Sequence, residues 1–222
     1  MKTKLLLSVA WLLVVGLASC QKEPSTSGLS NEYLVYTAHD AAADFAPLGT
    51  YYIPDSILLI GSHAVNGKGE KVPKYWNDAD ALSLINTIVA ELNAMGYIRI
   101  LDPAERALAD VGLQPSYVEE SVYYVGYNNP YWWGYYPYYW LPSYWGPWYG
   151  WSYPFSVYYG YTTGSLLVEM ADLTSESGSG KSLPILWNAY ISGLVQDDGS
   201  ININGAIEAL EQAFEQSPYL AK

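Results

Sequence analysis

Few side chains of this 222-residue chain could do acid–base or metal chemistry. The two histidines, His39 and His63, do not stand at a metal-ligand spacing from each other or from a cysteine. The carboxylates Asp40, Asp44 and Asp55 could serve as acid and base of a glycan- or cell-wall-active hydrolase, but no pattern pairs them in space. The short motifs of nucleophilic, zinc-dependent and phosphate-binding enzymes do not occur. The sequence therefore predicts no catalytic site, no metal and no cofactor, and a hydrolase stays the alternative function.

Residues near the C-terminus are spaced like the ligands of a calcium-binding loop. They fall at loop positions 1, 3, 5, 6, 8 and 12 and are Ser200, Asn202, Asn204, Gly205, Ile207 and Glu211. The first position lacks the aspartate of such a loop, and only Glu208 and Glu211 bring charge. Asn204 explains the same residues more simply as the N-cap of a last helix. We therefore predict a helix cap here and no calcium site.

Cys20, the only cysteine of the chain, has the surroundings of a lipidated thiol. Lys2 and Lys4 precede an uncharged, mostly apolar stretch at residues 5–18, which is shorter than the roughly 20 residues of a membrane-spanning helix. The stretch runs into Leu17, Ala18, Ser19 and Cys20. One bulky and two small residues before a cysteine resemble the bacterial lipobox. We predict that residues 1–19 are a lipoprotein signal peptide and that Cys20 carries a diacylglyceryl group with acyl chains such as palmitate.

Residues 20–30 have the composition of a flexible tether, with Ser, Thr, Gly and Pro. Gln21 takes the place at which enteric bacteria commonly use aspartate to retain lipoproteins in the inner membrane. We therefore predict an outer-membrane lipoprotein whose lipid on Cys20 holds it to the membrane. The run Gln21, Lys22, Glu23 resembles a short surface-export signal, and both orientations, toward the periplasm or the cell surface, stay open.

The chain is acidic. Its formal charge is −12 and becomes −14 once residues 1–19, which contain two lysines and no acid, are removed. An acidic protein repels polyanions, so nucleic acid and bare anionic headgroups are not expected as partners.

A charge-free aromatic segment at residues 126–160 is the most unusual feature of the sequence. Residues 123–161 contain 14 Tyr, 6 Trp and 1 Phe in 39 positions, and no charged residue occurs between Glu120 and Glu169. Repeated prolines and glycines predict a long loop rather than a helix or a central strand. The candidate binding residues within it are Tyr131, Trp132, Trp133, Tyr135, Tyr136, Trp140, Trp145, Trp148 and Trp151.

Three interpretations of this segment stay open. Tyr and Trp suit a bilayer interface, which satisfies both an apolar ring and a polar edge. Flat rings also suit a platform for a glycan or an envelope protein. The third interpretation is a low-complexity insert that packs on its own sheet or stays mobile. So many large rings left in water would form an apolar patch of the kind that marks interaction sites, which argues for the first two.

The rest of the chain alternates strand and helix patterns. Strands are predicted at 31–38, 50–53, 56–60, 97–101, 115–125, 165–173 and 185–195. Residues 61–75 hold three glycines and a proline and are predicted as a loop, and 103–109 as a helical turn. A helix is predicted from a cap at Asn77 or Asp78 to Gly96. Its apolar stripe is Leu82, Ile85, Val89, Leu92 and Met95.

A second helix is predicted over 205–216 and is stopped by Pro218. Two amphipathic helices each need a sheet face to cover. The predicted fold is therefore a single α+β domain over residues 31–220, with one mostly antiparallel sheet and both helices on one face. The long aromatic-rich loop is inserted before the C-terminal hairpin.

Short motifs, in order along residues 31–220, give the chain a resemblance to a known family. They are Asp44, Phe45, Thr50, Tyr51, Tyr52, Ile53, Pro54, Leu92, Gly96, Tyr97, residues 164–172, Leu186, Trp187, Ile207, Ala209, Leu210, Phe214 and Pro218. In these the chain resembles the bacterial lipoproteins that carry domain of unknown function 4136. The resemblance implies an α+β lipoprotein domain of the cell envelope and no established activity. We predict a non-enzymatic interaction or structural module that uses its aromatic loop to contact a bilayer, a glycan or an envelope protein.

Overall fold

The structure, a computed structural model, describes residues 34–119, 144–148, 150–153, 163–175, 181–196 and 198–222. Residues Tyr33–Lys222 form a compact unit of their own. The predicted signal peptide, the lipidation site at Cys20 and the tether lie outside the described residues. Neither helix of the described ranges has the length and apolar composition needed to cross a bilayer.

The described ranges form nine strands, two α-helices and two 3₁₀ turns. The strands are β1 (Leu34–His39), β2 (Thr50–Tyr52), β3 (Ile57–Val65), β4 (Lys71–Trp76), β5 (Ile98–Arg99), β6 (Val111–Val118), β7 (Gly150–Ser152), β8 (Ser165–Asp172) and β9 (Ser182–Ser192). The helices are α1 (Ala79–Ala94) and α2 (Ile203–Glu215), and the 3₁₀ turns are Pro103–Leu108 and Pro218–Leu220.

The strands form one sheet of mixed direction. Its main order is β1-β9-β8-β6-β2-β5, with β3 between β6 and β4, and β7 beside β9. The pairs β1/β9, β8/β9, β6/β8 and β3/β4 are antiparallel, whereas β2/β5, β2/β6, β3/β6 and β7/β9 are parallel. The prediction of a mostly antiparallel sheet is therefore wrong. The reason is the crossover through α1, after which β5 and β6 run in the same direction as β2 and β3.

β6 is the central strand, and it changes its partner midway. One edge pairs with β8 along the whole strand. The other edge pairs with β2 near Val111 and with β3 from Ser116 to Val118. Pro115 lies between these two pairings, and because proline has no N–H to give to a ladder, a gap of this kind tolerates it in a central strand. The strand predicted at 115–125 therefore begins earlier than expected.

The loop predicted at 61–75 is instead a β-hairpin of β3 and β4. The register of this pair shifts between Leu58 and His63, and Gly61, within that interval, has φ 96°. A glycine at positive φ is the usual residue of a β-bulge. Pro73 lies on β4, which among the described residues pairs only with β3, and proline is tolerated on such an edge strand.

α1 confirms the first predicted helix and has Asp78, not Asn77, as its N-cap. The Asp78 carboxylate accepts hydrogen bonds from two backbone N–H groups of the first turn. Gly96, with φ 95°, follows its C-terminal end as expected. The buried face is rotated from the predicted stripe, so Leu82 is 39% exposed. The buried residues of α1 are Ala81, Leu84, Ile85, Ile88 and Leu92.

α2 begins two residues before its predicted start, at Ile203. Its N-cap is Asn202, whose Oδ1 accepts a hydrogen bond of 3.0 Å from the N–H of Gly205. Asn204, the predicted cap, lies inside the first turn. The helix-cap explanation of the calcium-like spacing therefore applies to Asn202.

The larger hydrophobic core lies on one face of the sheet. Alternate residues of the central strands contribute to it, among them Leu113 on β6, Val168 on β8 and Ala189 on β9. The buried residues of α1 and α2 belong to the same cluster, and the two helices contact each other. The residues that alternate with these along each strand have their side chains on the opposite face of the sheet.

Candidate functional site

Three polar side chains form a row across the middle of that opposite face. Gln114 on β6 lies directly across from Glu169 on β8, and Glu169 lies directly across from Asn188 on β9. Each is at most 1% exposed. Directly opposed residues of antiparallel strands have Cβ atoms about 5 Å apart, so the three side chains are neighbours. We call these three residues the polar row.

Further polar groups lie beside the polar row. Ser116, also fully buried, is the next residue of β6 on the same face. On the neighbouring strands, the Ser165 Oγ and the Tyr190 hydroxyl oxygen lie 3.0 Å apart. The middle of this face is therefore polar across three strands, whereas the face toward the helices is apolar.

Part of the aromatic segment lies on this face. Residues 144–148 and 150–153 are here called the aromatic cover. The strand β7 within it pairs in parallel with the start of β9, where Trp151 lies opposite Leu183. Its rings, packed with Tyr52, Leu183 and Ile185 in a second hydrophobic cluster, are those of Trp145, Trp148, Trp151 and Tyr153. The sequence predicted a loop here, and the β7 ladder makes three of these residues part of the sheet instead.

A glycine on β6 makes room for the largest contact of the cover. A Cβ atom at Gly112 would lie 2.5 Å from Cζ3 of Trp145, well inside van der Waals contact. The indole therefore lies directly on the backbone of the central strand. From this position Trp145 Nε1 donates to Gln114 Oε1 at 3.5 Å, and its ring meets that of Tyr52 edge-on at 6.1 Å between centroids.

Arg106, in the first 3₁₀ turn, holds the beginning of the cover. Its Nε donates to the backbone oxygen of Tyr144 at 2.7 Å, and its guanidinium carbon lies 4.5 Å from the centroid of the Tyr144 ring. Burial, together with the hydrogen bond to Tyr52, raises the pKa of the Tyr144 hydroxyl above its ordinary range. Arg106 thus holds Tyr144 both by a hydrogen bond to its backbone and by a cation–π contact with its ring.

Tyr153 connects the other end of the cover to the polar row. Its hydroxyl donates a hydrogen bond to Oε1 of Glu169. Burial raises the pKa of the Glu169 carboxyl from 4.5 to about 8, and the hydrogen bond from Tyr153 opposes that rise. Burial dominates because an ionised carboxylate loses its hydration in the interior. Glu169 is therefore mostly protonated at neutral pH, and the whole polar row is uncharged there.

Several atoms of this region have no hydrogen-bond partner among the described residues. They include Gln114 Nε2, Ser116 Oγ and Glu169 Oε2. A buried polar atom left without a partner costs about 1–3 kcal/mol, and folded proteins contain few of them. Three such atoms on one patch therefore distinguish this face from an ordinary sheet interior.

The predicted binding residues divide into two groups. Trp145, Trp148 and Trp151 are at most 7% exposed and belong to the aromatic cover, so their rings face the sheet. The other predicted binding residues, Tyr131, Trp132, Trp133, Tyr135, Tyr136 and Trp140, lie outside the described residues.

The carboxylates considered for hydrolysis have separate local partners. Asp40 and Asp44 each accept a hydrogen bond from a backbone N–H two residues later, as in Asx turns. Asp55 forms an ion pair with Arg99, with 2.6 Å between Oδ1 and the guanidinium nitrogen. Within the described ranges, no three His, Cys, Asp or Glu side chains are grouped so that they could hold a metal ion.

A separate pocket of about 380 Å³ lies between the β1–β2 connection and the C-terminal residues. His39 and Tyr219 form part of its wall and stack with ring centroids 3.9 Å apart. Lys222 also lines it, donates to the backbone oxygen of Phe45 and lies 4.2 Å from the centroid of the Tyr97 ring. His39 and Asp44 are thus brought to one pocket, which the sequence did not predict.

Sequence reasoning also missed the polar row. Its one local signal was Glu169, an acid in the middle of the otherwise apolar strand β8. Gln114 and Asn188 become its neighbours only through the register of three strands, which no local pattern contains.

Comparison with known proteins identifies the family. Residues 35–219 match the family model described as Domain of unknown function (DUF4136). The chain is 42% identical, with a TM-score of 0.72, to a DUF4136 family protein from Bacteroides thetaiotaomicron known from a crystal structure, over 85% of this chain and 97% of that one. A PelC dodecamer from Paraburkholderia phytofirmans is 15% identical with a TM-score of 0.40, over 86% and 99% of the two chains. That weak likeness carries no functional argument.

No curated protein matches the chain. The family model and the Bacteroides structure both cover most of its length, and the motifs quoted from the sequence lie within the matched range. The chain therefore belongs to the DUF4136 family, the family that its sequence motifs resemble.

Proposed function

We propose that this protein is a lipid-anchored protein of the bacterial cell envelope that acts by binding, and that its aromatic segment is the contact region. The observation that carries the proposal is the seating of the aromatic cover on the sheet. This end of the segment is packed and hydrogen-bonded, and residues 131–140 precede it in the sequence.

The chemistry of those rings suits recognition. The segment is uncharged and rich in Tyr and Trp, side chains that combine a flat apolar surface with one hydrogen-bonding group. Such rings contact sugar faces, protein surfaces and the bilayer interface. With Trp145, Trp148 and Trp151 packed on the sheet, the six earlier rings are the ones proposed to make the contact.

The anchor defines where this contact takes place. We propose that Cys20 carries the lipid and that the protein belongs to the outer membrane, facing the periplasm or the cell surface. Thirteen residues separate Cys20 from Leu34, the first described residue of β1. Fully extended, they reach roughly 45 Å, so the domain works close to the membrane surface.

The local bonding of the acidic residues supports binding rather than hydrolysis. A glycosidase needs two carboxyl groups facing each other across the scissile bond. Asp40 and Asp44 instead accept bonds within turns, and Asp55 is neutralised by Arg99.

The proposal is tested with a variant that removes only the six earlier rings. A deletion of 126–160 would also remove the buried rings of the cover and damage the fold. We therefore replace the six residues Tyr131, Trp132, Trp133, Tyr135, Tyr136 and Trp140 by serine, in the full chain with Cys20→Ser to remove the lipid. Retention on liposomes and on insoluble polysaccharide is measured, and we expect it to fall at least tenfold in the six-ring variant.

A matched control replaces apolar residues that are exposed elsewhere. Leu101 and Leu108 are both more than 70% exposed, and Leu101→Ser/Leu108→Ser should retain full binding. An unchanged thermal transition shows that the six-ring variant is folded. Equal retention of the parent chain and the six-ring variant would overturn the proposed contact region.

A further inference from the structure

We propose that the polar row and the aromatic cover together form a closed binding site for a neutral, hydroxyl-rich ligand, namely a segment of oligosaccharide, and that the cover lifts to admit it. This inference rests on the proposed binding function and names its ligand class. It concerns only described residues.

The first argument is that three atoms on the polar face are buried without a partner in the described part of the chain, at a cost to the stability of the fold. The sheet already buries an apolar face under α1 and α2. On the other face, apolar side chains at Gln114, Ser116 and Glu169 would avoid the cost of three buried atoms without partners. Because these three atoms have no partner among the described residues, they are available to form hydrogen bonds with a ligand.

The second argument concerns the chemistry of those groups. Gln114 offers an amide, Ser116 a hydroxyl and Glu169 a carboxyl group, all on one face. Because Glu169 is mostly protonated at neutral pH, the set offers both donors and acceptors without net charge. That combination matches the hydroxyl groups of a neutral sugar better than a phosphate, a carboxylate or an amine.

The third argument is geometric. The polar row extends over two inter-strand spacings, or about 10 Å, which is the length of a disaccharide unit. The indole of Trp145, which contacts Gln114, and that of Trp151 in the same cluster are flat apolar surfaces of the type that packs on the C–H faces of sugar rings. A sugar-binding site uses polar groups to bind the hydroxyls and aromatic faces to pack on the C–H surface, and this region offers both.

The ladder that attaches the cover to β9 is short. Its ladder to β9 involves three residue pairs at the end of that strand. Further polar attachments are the Arg106–Tyr144, Tyr144–Tyr52 and Tyr153–Glu169 hydrogen bonds and the Trp145 contact with Gln114. A ladder of three pairs at a sheet margin opens at a lower free energy than the long ladders between β6, β8 and β9.

The opening is tested with a reversible lock. Gly150 on β7 and Ser182 on β9 lie directly opposite each other, at a spacing that a disulfide can bridge. We therefore introduce Gly150→Cys and Ser182→Cys into the full chain with Cys20→Ser. Binding of cellohexaose, mannohexaose and chitohexaose is then measured by isothermal titration calorimetry at pH 7. We expect the oxidised form to bind at least tenfold more weakly than the same protein after reduction.

The ligand contacts are tested with Gln114→Leu, which keeps the volume and removes the amide. We expect at least a tenfold loss of oligosaccharide affinity with a melting temperature close to that of the parent chain, because removal of the unpartnered Nε2 offsets the loss of the 3.5 Å contact from Trp145 Nε1. Should this variant fail to fold, Ser116→Ala makes the same test, because it removes only a hydroxyl. Leu101→Ser serves as the control and should bind as the parent chain does.

Two results would overturn the inference. One is the absence of millimolar or tighter binding to all three oligosaccharides by the reduced protein. The other is an affinity that neither the lock nor Gln114→Leu changes. Both are distinguishable from failure of the proposed function, which is measured by the six-ring variant on liposomes and insoluble polysaccharide.

Discussion

The Tyr153 hydroxyl donates a hydrogen bond to the carboxyl group of Glu169 in the interior of the domain, fastening the aromatic cover to the central strands of the sheet. The carboxyl group is fully buried, and its pKa is raised from 4.5 to about 8. The bond therefore joins two neutral groups at pH 7. It connects the aromatic cover to β8, whose Glu169 is the one fully buried acid among the described residues.

The first prediction is that stability falls as pH rises from about 5 to 8. In the unfolded chain Glu169 loses its proton near pH 4.5, whereas in the folded chain it keeps the proton up to about pH 8. The folded state therefore binds more protons than the unfolded state in this interval. The contribution of Glu169 to the free energy of unfolding is fully present below pH 4.5 and is lost by about pH 8. Urea unfolding at pH 5, 6, 7 and 8 should show this decline, and Glu169→Gln should flatten it. Parallel pH profiles for the two proteins would contradict the raised pKa.

The second prediction concerns the close contact between Gly112 and Trp145. Gly112→Ala places a Cβ atom 2.5 Å from the indole, so the ring or the strand must move. We expect a loss of about 1–3 kcal/mol in the free energy of unfolding, as in other overpacked cores. The near-ultraviolet circular dichroism of the tryptophans should change as well.

The matched control for Gly112→Ala is Gly67→Ala. No atom lies within 4 Å of a Cβ built on Gly67, in the turn between β3 and β4. Its stability should stay within about 0.5 kcal/mol of the parent chain. Equal stability of both variants would show that Trp145 does not lie on β6.

The third prediction concerns Asp110, which joins the starts of β2 and β6. One carboxylate oxygen accepts hydrogen bonds from the N–H of Gly49, the N–H of Thr50 and the Thr50 hydroxyl, at 2.8, 2.8 and 2.9 Å. Asp110→Ala leaves these donors without their acceptor in a partly buried place and should cost about 2–3 kcal/mol. Asp55→Ala is the control, because its ion pair with Arg99 is mostly exposed on the Asp side and should cost at most about 1 kcal/mol. Chemical denaturation of both variants decides the comparison, and similar losses would contradict the role of Asp110.

The fourth prediction concerns the anchor. In a Gram-negative host, the full chain should sediment with outer membranes, and Cys20→Ser should move most of the protein to the soluble fraction. Two or more acyl chains hold a protein to a bilayer far more firmly than one. Mass spectrometry of the native protein should show an acylated N-terminal cysteine, and an intact leader peptide would refute the lipoprotein assignment.

The parts of the fold that follow from local sequence could be predicted. α1 begins at a capping aspartate, Asp78, and is followed by Gly96 with positive φ, and both residues produce their effects within one helical turn. The C-terminal hairpin of β8 and β9 follows from two apolar runs separated by residues rich in Ser and Gly. Most family motifs are core positions as well, since Tyr51, Trp187 and Phe214 are all buried. The resemblance to the family therefore predicted the fold but did not predict an active site.

The parts that depend on distant residues could not be predicted. The hairpin of β3 and β4 was missed because Gly61 and Pro73 look like loop residues, and only their places at a bulge and on an edge strand make them compatible with a sheet. The direction of β6 relative to β2 depends on the crossover through α1. Likewise, the polar row exists only through the pairing of β6, β8 and β9.

β9 pairs with two strands that reach it at opposite ends, β1 and β7. Leu34 of β1 pairs with Ser192, and Trp151 of β7 pairs with Leu183, nine residues and roughly 30 Å away. A pulling force applied to the chain before residue 34 therefore acts first on the six residue pairs between β1 and β9. It acts only afterwards on the end of β9 that holds the aromatic rings. A domain pulled at its N-terminus would lose β1 while the rings were still in place.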